Sequence, residues 1–318
     1  MASDQTLDTT SRVATLRTFG RVLQRELRAK GWGNPFGYLF ILPAMLLYGL
    51  FSAWPIFRGF IMSFTDYRFL YPDSRWDFNG IQNFVDMFSD QWIGHGLIVS
   101  IKWTLLVQPT VIIVSLLLAV LISRVNHGQG FYRWIVYLPT ILPIAVTLLM
   151  FGQFYNARFG FLNVNLRNLG IDNPPRWLND TRWALPALAF TDVWRGFGFP
   201  TLLFLIGIYN INSEIYEAAA IDGATAWHQF WRITMPLLKP TFLLILVLGS
   251  GIAGGTEPAL ILTSGGPQNA TRSIGLYLYQ VAFTLGDMRL GYSAAVGLLL
   301  GILSALLSLF WFRLLKER

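Results

Sequence analysis

The sequence predicts an all-α membrane protein with six transmembrane helices and both termini in the cytoplasm. Three observations support this prediction: few charged residues, long apolar runs, and an uneven distribution of Lys and Arg between the segments that join the runs. The 318-residue chain is 54% hydrophobic and 13% charged, whereas roughly a quarter of the residues of an average soluble domain are charged. A soluble core of this size could not hide so much apolar surface.

Each apolar run is long enough to cross a hydrocarbon core roughly 30 Å thick, which takes about 20 residues. Several runs lack the 3.6-residue alternation of a surface helix, so they are apolar on every side. We therefore predict six spans, at about residues 38–64, 97–123, 134–155, 183–209, 237–262 and 290–312.

The Lys and Arg residues indicate the orientation of these spans. The tail and alternate joining segments hold 13 of the 24, the opposite segments hold 8, and the other 3 lie in spans. Because the richer set faces the cytoplasm in multi-pass proteins, both termini are predicted to be cytoplasmic. The richer set is Arg12, Arg17, Arg21, Arg25, Arg28, Lys30, Arg124, Arg133, Arg232, Lys239, Arg313, Lys316 and Arg318.

Residues 1–35 are predicted to be a cytoplasmic basic tail, and residues 36–318 the transmembrane domain. The first apolar run begins too late and is too long for a cleaved signal peptide. Within the tail, residues 12–30 carry arginines at helical spacing beside leucines. This segment is either a helix lying on the anionic lipid of the inner leaflet or a disordered tail that fixes topology.

Composition excludes several functions. The chain has no Cys, and its three His residues lie in separate segments, so neither thiol catalysis nor a metal site is expected. It lacks the GxxxxGK[ST] phosphate loop. By that motif we expect no ATPase site of its own, no cofactor, and an energy source outside this chain. The outer segments are nearly neutral, and no nucleic-acid partner is expected.

The most informative segment is 212–236, which lies between the fourth and fifth predicted spans and is predicted to be cytoplasmic. Ser213 is a candidate helix cap, and three alanines from Ala218 onward favour a helix with a smooth surface. Gly223 permits a turn, Thr225 can cap a second short helix, and Pro236 is predicted to start the fifth span. We call residues 212–236 the bracket, a helix–turn–helix fastened to the membrane domain.

The bracket resembles the EAA loop of ABC-importer permeases. That pattern is EAA, three residues, Gly, nine residues, Ile, one residue and Leu-Pro, and this chain departs from it only by a Met for the Leu. Further segments similar to the first permease of the carbohydrate-uptake group, the maltose and glycerol-phosphate type, occur in the expected order. The matching bracket residues are Glu217, Ala218, Ala219, Gly223, Ile233, Met235 and Pro236.

This resemblance implies a mechanism and a set of partners. Two permeases would form a pore, two ATP-binding cassette subunits would supply ATP–Mg, and an extracytoplasmic binding protein would deliver a sugar or oligosaccharide. The bracket would lie in a cleft on an ATPase subunit and move when the two ATPases close on ATP. Glu217 would pair with a basic residue of the ATPase, Ala218 and Ala219 would allow close docking, and Gly223 would hold the turn.

Polar residues within the spans are candidates for the solute pathway, because a charge at the bilayer centre costs roughly 2.5–3.5 kcal/mol on insertion scales. Asp192 and Arg195 have the i, i+3 spacing of an ion pair and either line the pathway or stabilise the fold. Glu257 follows four glycines, which either widen a cavity or pack helices through Gly251 and Gly255. Gln153 and Tyr155 end the third span and are candidate partners for hydroxyl groups.

Other functions remain open from the sequence alone. The same machine could carry a sugar phosphate, an acidic oligosaccharide or a polyamine, since Arg195 favours an anion and Glu257 a cation. An ion-gradient transporter would not need the bracket. An intramembrane enzyme would need paired catalytic groups at depth, and Asp192 with Glu257 is the only carboxylate pair available.

Overall fold

The computed structural model describes residues 35–70 and 76–315, and its regular structure is helical. Those residues include two isolated β-bridges but no β-strand, which confirms the all-α class. Residues 1–34 of the predicted tail, with the arginine-rich segment 12–30, lie outside the described residues, as do Lys316 and Arg318. The chain forms two compact units, Met1–Ile61 and Met62–Arg318.

The described part of the first unit is a long helix that coincides with the first predicted span. Helix α1, Pro35–Tyr48, continues through a π-helical turn, Gly49–Ala53, into α2, Trp54–Met62. Residues Tyr38–Met62 are apolar and long enough to cross a membrane. Pro43 lies inside α1 and leaves one backbone carbonyl without its usual partner.

Two further helices in the second unit are long enough to cross a membrane. Helix α3, Gln82–Ser89, precedes α4, Gln91–Ser123, which has 33 residues and so is roughly 50 Å long. The Asp90 side chain accepts a hydrogen bond from the Trp92 backbone N–H and caps α4. The last helix of the chain, Leu290–Leu315, has 26 residues.

The third predicted span is not one helix. Helix α5, Gln129–Ile141, and helix α6, Ile144–Phe154, meet at an angle of 90°. Leu142 is extended because it precedes Pro143, whose ring disfavours a helical conformation in the residue before it. Helix α7, Phe161–Asn168, follows in a segment that the sequence analysis left irregular.

The fourth predicted span is also interrupted. Helix α8, Ala184–Gly196, and helix α9, Gly198–Tyr209, are separated at Phe197. Pro200 has no N–H to bond the carbonyl of Gly196, and this loss accounts for the interruption. Two neighbouring carbonyls accept hydroxyl donors from other helices: Thr140 donates to the Arg195 carbonyl at 2.9 Å, and Ser115 to the Phe197 carbonyl at 2.9 Å, which also accepts the Thr201 backbone N–H at 3.0 Å.

The bracket forms two short helices, α10, Ser213–Ile221, and α11, Ala226–Gln229. A π-helical turn, Phe230–Thr234, leads from α11 into α12, Met235–Leu237. Helix α13, Lys239–Leu248, then starts after a bend of 57°. Pro236 lies in the first turn of α12, and the chain bends once more at Leu238, so the start of the fifth span at Pro236 stays a prediction.

The fifth predicted span ends early. After α13 the chain is not helical again until α14, Thr256–Pro258, and the π-helical turn Ala259–Thr263. Gly255 has a left-handed backbone with φ of 77°, which glycine adopts without steric cost. Packing of one continuous helix through Gly251 and Gly255 is therefore ruled out.

Helix α15, Ile274–Phe283, and helix α16, Leu290–Leu315, complete the fold. Helix α15 lies in a segment expected to be an irregular outer loop, yet Ile274, Leu276 and Tyr277 are buried. The described residues contain three candidate membrane spans, or up to five if each bent pair counts as one span. The number six is not reached by length and composition alone, because the broken fourth run is not among those candidates.

Helix α4 passes through the three main core clusters and so fixes the positions of the other helices. Ile93, near its start, packs with residues of α15 and α16. Trp103 packs with α8 and the segment after α14. Ile122, near its end, packs with α9, Leu238 and α13. The bracket therefore begins and ends beside the C-terminal end of α4.

Candidate functional site

Helix α10 of the bracket begins and ends with two defined caps. The Asn212 side chain accepts a hydrogen bond from the Glu214 backbone N–H at 3.1 Å, so Asn212 is the N-cap rather than the predicted Ser213. At the other end Gly223 is left-handed, with φ of 83°, as the sequence predicted. The Ala224 N–H bonds the Ala219 carbonyl at 2.8 Å, which closes a Schellman motif.

Helix α11 begins with the predicted Thr225 cap. The Thr225 hydroxyl accepts from the His228 backbone N–H and lies 2.8 Å from the His228 ring. Three aromatic rings then pack together, with centroids 5.2 to 6.5 Å apart, as expected for residues on one side of a short helix. They belong to Trp227, Phe230 and Trp231.

Contacts between side chains of the two arms hold the bracket together, and the sequence did not reveal them. The hydroxyls of Tyr216 and Thr234 are 2.8 Å apart. The Gln229 side-chain amide donates to the Tyr216 carbonyl at 3.1 Å. Thr234 is buried, whereas Tyr216 and Gln229 are half-buried. We call these three residues the clamp, and they tie α10 to the chain that leads into α13.

A second contact joins the end of α9, just before the bracket, to the start of α5. The Tyr209 hydroxyl donates to the Gln129 side-chain carbonyl at 2.9 Å. The same oxygen accepts from Arg133 at 3.0 Å, and the Arg133 guanidinium lies 5.3 Å from the centre of the Tyr209 ring. The bracket is thus fixed to the helical bundle at its N-terminal side.

The outward face of the bracket is exposed. Glu217, Ala218 and Gly223 are exposed, and the Ile221 side chain is 88% exposed. Of the other residues in the predicted docking pattern, Ala219 and Ile233 are half-buried and Pro236 is exposed.

A cavity of about 380 Å³ lies between α4, α8, α9 and α13, where α8 and α13 both end. Its volume is within the range of small-molecule sites. Helix breaks beside a cavity expose backbone dipoles to it and leave space that continuous helices would fill. The residues that line it include Gln108, Val111, Asp192, Arg195, Phe199 and Leu248.

Asp192 and Arg195 lie together on this cavity, as their spacing predicted. Asp192 Oδ1 and Arg195 Nη2 are 3.8 Å apart, which is too far for a hydrogen bond. Asp192 Oδ1 and Arg195 Nε are buried atoms without a hydrogen-bond partner among the described residues. The two opposite charges therefore lie close enough to attract each other beside the cavity, without a hydrogen bond between them.

Gln108 is a third polar residue of the cavity, and the sequence analysis missed it. Its side-chain amide donates to the Ile245 carbonyl at 3.3 Å. It lies so close to Gly249 that a Cβ atom there would collide with it. A single amide inside an apolar run, directly before Pro109, is the sequence signal that could have identified it.

The other three predicted pathway residues do not line this cavity. Glu257 is exposed in the first turn of α14, and Gln153 is exposed near the end of α6. Tyr155 is buried, and its hydroxyl donates to the Ala187 carbonyl at 2.7 Å. This arrangement favours a packing role for Tyr155. Within residues 35–70 and 76–315, no three His, Asp or Glu side chains are grouped so as to hold a metal ion.

Comparison with known proteins gives a consistent result. Residues 91–318 match the family described as binding-protein-dependent transport system inner membrane component. The multiple sugar-binding transport system permease protein MsmF of Streptococcus mutans is 31% identical over 92% of this chain and 98% of its own length. The trehalose/maltose transport system permease protein MalF of Thermococcus litoralis is 32% identical over 82% of this chain and 87% of its own length.

A solved structure shares the fold. It is a bacterial ABC transporter involved in the import of the acidic polysaccharide alginate. One of its chains superposes with a TM-score of 0.76, covering 92% of this chain and 98% of its own length, at 23% sequence identity.

Proposed function

The chain belongs to the family of binding-protein-dependent transport system inner membrane components, and from this membership we propose that it is the permease subunit of an ATP-driven importer of sugars or oligosaccharides. It is a multi-pass protein of the inner membrane. The full-length likeness to permeases of sugar transport systems is the observation that carries the solute class. The particular sugar is left open by that likeness.

Six spans with both termini in the cytoplasm are the topology that we propose. Three long helices and the bent pair α5–α6 account for four of the spans, the interrupted pair α8–α9 for another, and α13 with the helical turns that follow it up to Thr263 for the remaining one. The bracket then faces the cytoplasm between the fourth and fifth spans, in agreement with the distribution of Lys and Arg.

The bracket is proposed to be the site where an ATPase subunit docks. A helix with two caps, an exposed smooth face and a clamp at its base is suited to transmit a movement without deforming. Glu217 would pair with a basic group, Ala218 and Ala219 would allow close approach, and Gly223 would hold the turn. Ile233 and Pro236 would connect the bracket to α13.

The chain lacks a phosphate loop, so the energy must come from partners. We propose two ATP-binding cassette subunits carrying ATP–Mg, a second permease that completes the pore, and an extracytoplasmic binding protein. The cavity that holds Gln108, Asp192 and Arg195 is proposed to be part of the solute pathway. Glu257 and Gln153 are exposed in this chain. We propose that they line the solute pathway where the second permease completes the pore.

Co-purification and vesicle uptake test this function. The chain should co-purify with an ATPase subunit and a second permease. The complex, reconstituted in vesicles with its binding protein, should take up a saccharide only when ATP is present on the side of the membrane that carries the ATPase subunits. Uptake that follows an ion gradient and ignores ATP would contradict the proposal. So would purification of the chain alone under conditions that preserve related complexes.

A further inference from the structure

A second cavity, of about 610 Å³, lies at the opposite end of α4 from the bracket. It is formed where α3, the start of α4, α15 and the start of α16 come together. Its volume would accommodate a monosaccharide or disaccharide. We call it the Arg272 cavity, and the polar and aromatic residues that line it include Asp86, Asp90, Trp92, Arg272, Tyr277 and Arg289.

The carboxylates that line the Arg272 cavity are already matched by protein donors. Asp90 accepts hydrogen bonds from the hydroxyls of Tyr277 and Tyr292 through one oxygen, and from the Trp92 N–H through the other. The two remaining carboxylates form ion pairs: Asp86 with Arg289 at 3.1 Å, and Asp287 with Arg68 at 2.8 Å.

Arg272 is not matched in this way. Its guanidinium lies between two rings, 4.8 Å from the centre of Trp92 and 4.9 Å from that of Tyr277. Its Nε donates to the Gln280 side chain at 2.8 Å. No group among the described residues accepts a hydrogen bond from its two terminal nitrogens, although the side chain is half-buried.

This arrangement leaves the two terminal nitrogens of Arg272 without a described protein acceptor and open to the cavity. A planar guanidinium fork is best matched by the two oxygens of a carboxylate. The two rings and Gln280 hold the fork in place, so little conformational entropy is lost when an anion binds. The cavity is also far larger than one acidic side chain requires, which favours a small molecule.

We propose that the Arg272 cavity binds an acidic saccharide, and that Arg272 recognises its carboxylate. This inference rests on the proposed function and narrows its solute class to sugars that carry a negative charge. In the proposed topology the cavity opens on the side from which the binding protein delivers its solute, so it would receive the solute before the cavity at Asp192 and Arg195.

Saturation-transfer NMR on the complex of permeases and ATPases in nanodiscs, without binding protein, tests the site directly. The probes are D-glucuronate and D-glucose, which differ in the carboxylate. We expect D-glucuronate to bind about tenfold more tightly than D-glucose, because a hydrogen bond to a charged group changes the affinity by about that factor. Arg272→Gln should remove this preference. Arg272→Lys, which keeps the charge and loses the fork, should retain part of it.

Arg176→Gln is the matched control, since it makes the same charge change at an exposed residue with no side-chain contact described. It should leave the preference intact. Equal binding of the two sugars, or a preference that survives Arg272→Gln, would overturn the inference. So would Arg272→Gln weakening attachment of the binding protein alone, because the acceptor would then be a protein side chain.

Vesicle uptake separates this inference from the proposed function. If the complex takes up neutral sugars and shows no preference for D-glucuronate, the proposed Arg272 site is contradicted and the proposed importer function is supported. A clear preference for D-glucuronate in a complex that takes up no saccharide would support the site and contradict the function.

Discussion

The hydroxyl of Tyr216 lies 2.8 Å from the hydroxyl of Thr234, and this contact joins the two arms of the bracket. Tyr216 belongs to the helix that carries the exposed face proposed for docking, whereas Thr234 is buried just before the chain bends into α13. A push on α10 therefore reaches α13 through a short connection. The clamp makes the bracket behave as one body.

Tyr216→Phe should weaken coupling without preventing assembly. The change removes one hydrogen bond, which contributes about 1 kcal/mol to stability in a typical protein. We expect fewer solute molecules transported per ATP hydrolysed, measured in vesicles with both quantities followed in the same sample. Tyr132→Phe is the control, because Tyr132 is an exposed tyrosine without a described hydrogen bond. An unchanged ratio in Tyr216→Phe would contradict the role of the clamp.

Gly223→Ala should destabilise the turn of the bracket through the backbone alone. A Cβ at Gly223 would meet nothing within 4 Å, but the φ of 83° costs a residue with a side chain roughly 1–2 kcal/mol. Transport should fall while ATP hydrolysis continues. Gly130→Ala is the control, because Gly130 is helical and equally uncrowded, and alanine is favoured there. Equal effects of the two substitutions would count against the predicted turn.

Asp192→Asn and Arg195→Gln test the cavity between the broken helices. Each single change leaves the other charge without its neighbour, so each should lower uptake by about tenfold or more, in line with the cost of an unpaired buried charge. If the pair only supports the fold, Asp192→Asn combined with Arg195→Gln should restore uptake. If the pair meets solute, the double variant should remain impaired while its thermal stability recovers. Asp172→Asn, at an exposed residue whose side chain has no described hydrogen bond, is the control for loss of a carboxylate.

The ion pair between Asp86 and Arg289 should make stability depend on pH. A hydrogen bond from Gln82, and then the contact with Arg289, lower the pKa of Asp86 below its usual 3.8. A carboxyl whose folded-state pKa is lowered contributes stability above its unfolded pKa, and that contribution is lost as pH falls through the folded pKa. The thermal unfolding temperature, measured from pH 6 down to about pH 3, should therefore fall more steeply in the native chain than in Asp86→Asn. Parallel curves would contradict this assignment.

Local sequence patterns were sufficient to predict the bracket. Its caps, its turn and its alanine face depend on residues within a few positions of one another, and Gly223 and Thr225 take the predicted conformations. The difference at the N-cap is one residue, Asn212 instead of Ser213, because either side chain is suited to that position.

The broken helices could be foreseen only in part. Pro143, Pro200 and the glycines up to Gly255 were visible in the sequence, but hydropathy averages over a whole run and does not register a missing N–H. The cavity depends on contacts between distant segments, such as Gln108 with Ile245. Such contacts follow from the packing of four helices and have no local signature.

The most direct measurement of the central claim uses the absence of cysteine from the chain. Ala218→Cys would place a single thiol on the exposed face of the bracket, and Phe159→Cys would place one in the segment predicted to face outward. In intact cells a membrane-impermeant maleimide should label Phe159→Cys only, whereas in the assembled complex a short cross-linker should join Ala218→Cys to the ATPase subunit. Labelling of Ala218→Cys from outside, with no cross-link to the ATPase, would contradict the account.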